Sequence, residues 1–138
     1  MKVEDAAAVA HLATQLGYPS TAAQIERRFR ALEESPDARA LIAEGRDGTV
    51  LGWIHVYGTR HLESDPGAEI GGLVVDETAR GRGVGSALMA SAEAWARERG
   101  YEVVRVRTNV IRTKAHEFYK SRGYEVVKSQ YRLGKRLV

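Results

Sequence analysis

The stretch VVDETARGRGVGSALMA, residues 74–90, constrains this chain more than any other. Aliphatic residues that read as a strand end in a charged turn, and three alternate glycines, Gly81, Gly83 and Gly85, lead into a helical pattern. A strand running into a helix N-terminus leaves backbone N–H groups unpaired and carries a partial positive charge there. Small residues let an anion approach those groups, and Arg80 and Arg82 add charge. A phosphate or pyrophosphate is the natural ligand of such a corner. The bland alternative is a tight turn that binds nothing, but three alternate glycines cost more chain entropy than a turn requires.

Two phosphate motifs are excluded. The corner lacks the GK[ST] ending of a Walker A loop. Gly81 and Gly83 fit a dinucleotide GxGxxG, but its third glycine falls on Ser86. The downstream acid, Glu102, opens its strand, whereas a ribose-binding acid closes one.

The chain has 138 residues, the size of one domain spanning 1–138. It contains no cysteine, which excludes disulfides, thiolate catalysis and zinc–cysteine sites. His11, His55, His61 and His116 show no metal-ligand spacing, so no metal is expected. No apolar run approaches the ~18 residues of a membrane span, and no signal-peptide pattern opens the chain. A cytoplasmic protein without a membrane partner is the default expectation. The net charge of +3 is too small to argue for nucleic acid, and no aromatic residues interleave with the basic ones. The basic residues are partly concentrated at Arg80, Arg82, Arg105, Arg107, Arg112 and Lys114.

Along the chain, EDAAAVAHLATQL reads as a helix capped by Glu4 or Asp5. TAAQIERRFRALEE reads as a second helix, opened by a Thr21–Gln24 capping box. ARALIAEG and TVLGWIHVYG are two strands joined at Asp47-Gly48, a hairpin signal. HLESDPG reads as a polar loop, and AEIGGLVV as a strand whose paired glycines suggest a bulge or a close backbone approach. The next helix buries Leu88, Met89, Ala92, Trp95 and Ala96 and stops at Gly100. YEVVRVRTN is a strand, RTKAHEFYKSRG a short helix, and YEVVKS and YRLGKRLV are two last strands. Met1–Val3 leave little room for a strand ahead of the first helix. The order predicts an α/β or α+β fold, a mixed sheet with helices on both faces.

These residues resemble the GNAT N-acetyltransferases. RGRGVG is similar to that family's [RQ]-x-x-G-x-[GA] signature, with Arg80, Gly83 and Gly85 at its fixed positions. NVIRTKAHEFYKSRGYEVV is similar to the family's second half. The resemblance implies a mostly antiparallel central sheet, acetyl-CoA as donor and a primary amine as acceptor. It implies that Leu73, Val74 and Val75 offer backbone groups to the pantetheine arm. It places the pyrophosphate on the amides of Gly81, Arg82, Gly83, Val84, Gly85 and Ser86. It further implies that Asn109 contacts the pantetheine region and that Tyr119 protonates the leaving thiolate; without the resemblance Tyr119 reads as a core aromatic beside Phe118.

Thioester attack also needs an oxyanion donor, for which the Val75 N–H is suited. The glutamate that some members carry five residues before the Asn is Val104 here. Glu69 is the candidate base, its alternative role being a solvated strand residue or ion-pair partner. The acceptor site of the family maps to Tyr18, Phe29, Trp53, His55, Tyr57 and residues 60–65, which would also serve as ordinary core. Two further expectations are a homodimer paired through YRLGKRLV and, as the alternative to an enzyme, a non-catalytic acyl-CoA-binding module. A covalent acetyl-cysteine route is excluded by composition.

Overall fold

Thr21 and Gln24 cap each other as the sequence predicts. The Gln24 N–H donates to Thr21 Oγ1 at 3.1 Å, and the Thr21 N–H donates to Gln24 Oε1 at 2.9 Å. They open helix α2 (Ala22–Glu33). Helix α1 (Ala6–Leu16) follows a single 3-10 turn, Val3–Asp5, and no strand precedes it. Its expected side-chain cap does not form, because the Asp5 carboxylate accepts the Lys2 N–H at 2.6 Å. Gly17 ends α1 in the left-handed conformation, with φ of 98°.

These elements belong to a computed structural model that describes all residues, 1–138, and divides into two compact units, Met1–Arg107 and Thr108–Val138. In the first unit, strands β1 (Ala38–Glu44), β2 (Val50–His61) and β3 (Ser64–Val75) pair antiparallel in chain order. The turn at Asp47-Gly48 forms as expected, with Gly48 at φ of 81°. The predicted polar loop at 61–67 does not: the ladder continues through Thr59 opposite Gly67 to His61 opposite Ser64, leaving a turn at Leu62-Glu63. Backbone pairing outweighs the polarity of that segment, because both strands already lie in register.

Helix α3 (Val84–Glu98) buries the predicted stripe, with Met89 and Ala92 fully enclosed. The core joins α1 and α3 to the strand face carrying Ile54, Val56, Ala68 and Ile70, each at most 3% exposed. Strand β4 is far shorter than its sequence suggests, Val104–Val106 rather than 101–109. It pairs parallel with Ala68–Ile70 only, which gives a four-stranded mixed sheet flanked by helices.

A polar knot ties the sheet to the end of α3. The Asp37 carboxylate accepts from Tyr101 Oη, from Arg60 Nη1 at 3.0 Å and from Arg99 Nε at 3.3 Å. A Cβ on Gly58 would overlap both Asp37 and Tyr101, so glycine makes room for the knot.

In the second unit, helix α4 (Thr113–Ser121) is the one regular element. The two last strands predicted from the sequence do not form, and residues 125–138 adopt neither helix nor strand. Isolated strands and hairpins are marginal in water without a sheet or apolar layer to join. Here Val126, Val127, Tyr131, Leu133 and Leu137 are all more than two-thirds exposed.

The Tyr101 hydrogen bond, followed by the two arginines, holds the Asp37 carboxyl below its ordinary 3.8. A depressed native pKa stabilises the fold above the unfolded value, and that contribution disappears as pH falls through the native one. Asp37→Ala is therefore expected to cost about 2 kcal/mol at pH 7, because it strands the Tyr101 hydroxyl. Urea denaturation across pH should show the difference from wild type shrinking below pH 3.8.

Candidate functional site

Strand β3 carries the site's central irregularity. Val56 faces Ile70 and His55 faces Gly72, so Gly71 is an extra residue, the predicted bulge. A Cβ on Gly71 would lie 2.7 Å from His55 Nδ1 and 2.8 Å from Tyr57 Cε1, and one on Gly72 would lie 2.9 Å from the Trp53 ring. The glycine pair thus gives three large side chains of β2 room to lie over the bulge.

At the same point β3 and β4 part company. Pairing with β4 ends at Ile70, whereas pairing with β2 continues to Val75. The Asp76 N–H donates to the Leu51 carbonyl at 2.7 Å. Successive N–H groups of a strand alternate between its two edges. The Val75 and Leu73 N–H groups therefore turn to the edge that β4 has left. That edge presents backbone groups of Leu73 and Val75, whereas Val74, expected alongside them, turns its own N–H toward β2 by the same alternation.

The corner that follows is built from one turn and two left-handed glycines. Asp76 Oδ1 accepts from the Thr78 N–H at 2.9 Å and from Thr78 Oγ1 at 2.8 Å, which sets the 3-10 turn Glu77–Ala79. Ala79 is fully buried and anchors the corner. Arg80 is extended, and Gly81 and Gly83 take φ of 78° and 79°. Gly83 is the N-cap of α3 and supplies no side-chain acceptor. The first intrahelical bond runs from the Ala87 N–H to the Gly83 carbonyl, leaving the amides of Val84, Gly85 and Ser86 open. Arg80 and Arg82 are exposed beside them. The corner has the geometry of an anion cradle.

Glu69 is buried, at 6% exposure, and its Oε1 lies 2.9 Å from Arg107 Nε. The ion-pair reading of Glu69 is the one the geometry bears out. Arg107 enters the sequence only as one of a basic cluster. Its pairing needs the parallel register that sets Glu69 against Arg105, two residues earlier on β4's side. His55 and Trp53, across the bulge, each bury a ring nitrogen that has no hydrogen-bond partner, Nε2 and Nε1. Desolvation pushes His55 below its ordinary 6.5.

In the second unit, Asn109 closes the turn ahead of α4. Its Oδ1 accepts the Ile111 N–H at 3.1 Å, and its carbonyl lies 2.8 Å from His116 Nε2. His116 thereby ties its helix to the turn at Asn109. Tyr119 packs edge-on against Phe118 and Tyr124, at 5.3 and 6.0 Å between ring centroids. Burial pushes its phenol above 10.0 against the opposing Arg112 charge, so it stays protonated at neutral pH. No group of three or more histidine, aspartate or glutamate side chains gathers in a way that could hold a metal ion.

The profile of the Acetyltransferase (GNAT) family matches residues 7–124. The chain is 41% identical over 75 residues to an aminoalkylphosphonate N-acetyltransferase of Salmonella typhimurium, a match covering 54% of this chain and 49% of that protein. The aligned part thus spans about half the length of that curated relative. An aminoglycoside antibiotic 6'-N-acetyltransferase of Acinetobacter haemolyticus superposes with a TM-score of 0.85 at 17% identity, over 100% of this chain and 97% of that one. An aminoglycoside N-acetyltransferase solved in complex with CoA superposes with a TM-score of 0.83 at 19% identity, over 99% and 96%.

The two left-handed glycines carry a conformational constraint independent of any ligand. Gly81→Ala and Gly83→Ala are each expected to destabilise the fold by about 1–2 kcal/mol. Gly85, inside the first turn of α3, has no positive φ. Gly85→Ala should leave the thermal midpoint unchanged or raise it, since alanine is the better helix former. Thermal denaturation of the three variants checks this ordering.

Proposed function

Because the chain belongs to the GNAT acetyltransferase family, we propose that it transfers the acetyl group of acetyl-CoA directly to a primary amine within a ternary complex. One observation carries the reading: β3 loses its partner at Gly71 and then runs, through one 3-10 turn, to the bare N-terminus of α3. An extended arm bearing amides can add to an open strand edge as a further strand does. The pantetheine arm has that chemistry, and Leu73 and Val75 are its partners on this reading. Its pyrophosphate suits the open amides from Gly81 to Ser86, with Arg80 and Arg82 neutralising charge. The whole of residues 1–138 is taken as one catalytic domain, in line with a family match that runs across both units.

The chemistry follows from the donors available. On this reading the Val75 N–H serves as donor to the thioester oxygen, where negative charge develops as the amine attacks. Tyr119, held neutral by burial, gives a proton or a hydrogen bond to the departing thiolate, and Asn109 contacts the pantetheine region. The resemblance of residues 109–127 to the family supports both roles. An alkylammonium acceptor must first shed a proton, at a cost of about 4.6 kcal/mol at pH 7. Glu69, on the face ahead of the bulge, is one of two bases this reading offers, directly or through a water. Its engagement with Arg107 favours one second reading, a module that binds acyl-CoA without turning it over. The apolar side chains exposed at Tyr131, Leu133, Leu137 and Val138 support a homodimer formed through residues 131–138. A cytoplasmic setting, where acetyl-CoA is available, fits the reading, and no helix is long and apolar enough to cross a membrane.

Calorimetry on wild type is expected to show micromolar binding of both acetyl-CoA and desulfo-CoA, and Gly83→Asp should abolish both. No binding to folded wild type would defeat the reading. With an accepted amine, Tyr119→Phe should lower kcat by about 100-fold or more with little change in KM for acetyl-CoA. Binding without thiol release from any amine would instead favour the non-catalytic module. Sedimentation should give a dimer that becomes a monomer when residues 131–138 are removed.

A further inference from the structure

Resting on the transferase reading, we propose that His55 is the group that receives the proton of the attacking amine. The residue lies on the face of β2 opposite the core positions Ile54 and Val56. Its cross-strand partner is Gly72, the residue immediately ahead of the Leu73–Val75 edge. The bulged Gly71 lies directly beneath its ring, and a Cβ there would touch Nδ1. Tyr57 flanks it at 5.0 Å between ring centroids. The imidazole therefore sits at the one point of the sheet where the thioester edge begins.

Its Nε2 is buried and has no hydrogen-bond partner, which is costly unless a ligand or water completes it. An amine N–H is a donor of the right kind. Glu69, by contrast, already holds Arg107 at 2.9 Å, and protonating it would break that pair. The surroundings keep the imidazole neutral. On the same face, β1 contributes Ala38, Ala40 and Ile42, opposite Tyr57, His55 and Trp53, and none of them titrates. Strand β3 contributes Glu69, engaged by Arg107, and the β4 side contributes Arg105 and Arg107. Burial is what holds His55 below 6.5.

In the step itself, the amine lone pair forms the N–C bond to the thioester carbon. The N–H proton passes to His55 Nε2, the C–S bond breaks, and its electron pair leaves with the CoA thiolate. The thiolate takes a proton from Tyr119, which is restored from solvent as His55 releases its own. Charge and protons balance without a further reactant.

The test has two arms. In wild type, ring-nitrogen NMR at pH 7 should find His55 neutral, with the proton on Nδ1 and the lone pair on Nε2, titrating below 6.5. A proton on Nε2, or titration above 7, overturns the proposal whether or not an acceptor is known. The second arm screens 2-aminoethylphosphonate, kanamycin and simple alkylamines and follows the best acceptor. His55→Gln should lower kcat by about 100-fold or more and abolish the acid limb of the pH–rate profile, with acetyl-CoA affinity unchanged by calorimetry. An acid limb that survives in His55→Gln and vanishes in Glu69→Gln assigns the base to Glu69 and overturns the proposal. Failure of wild type to bind acetyl-CoA would sink the transferase reading itself, a separate result.

Discussion

The sheet depends on one mismatch of register. β3 is held by β2 along nearly its whole length, but β4 can hold it only as far as Ile70. Gly71 is the hinge of that mismatch, because an extra residue in an antiparallel ladder bends and twists the strand that contains it. From there the strand can follow β2 or β4, and it follows β2. The open edge, the turn of its N–H groups and the approach to α3 are consequences of that choice.

The bulge also explains the composition of the opposite strand. Trp53, His55 and Tyr57 alternate with the core residues Ile54 and Val56, so β2 presents a packed face and an aromatic face. The aromatic face needs space above β3, and two adjacent glycines supply it. A half-buried histidine with its Nε2 enclosed and a buried carboxylate already paired with arginine then lie on one side of the sheet. The carboxylate is engaged by its partner, and desolvation favours the neutral imidazole.

The remainder of the first unit keeps this arrangement stiff. Helix α3 covers the core face with Leu88, Met89 and Trp95, and its N-terminus is aimed by the buried Ala79 and the Asp76 turn. At the other end of α3 the Asp37 knot fixes the loop entering β1. An anion cradle made of backbone amides needs this rigidity, since its donors have no rotamers with which to adjust.

Local chemistry was legible in the sequence wherever it is decided by neighbours. The Thr21–Gln24 box, the Asp47-Gly48 turn, the stripe of α3, the bulge at the paired glycines and the left-handed corner all follow from residues a few positions apart. The glycine signature and the later segment were likewise enough to indicate the family. The lengths of strands were not legible, because a strand lasts only as long as a partner stays in register. That is why 61–67 became ladder, 101–109 shrank to three paired residues, and 125–138 formed no strand. Tertiary structure alone decided that Glu69 would meet Arg107 and that His55 Nε2 would be enclosed without a partner. Both outcomes depend on contacts between strands, and a one-residue slip would have sent those side chains to the other face.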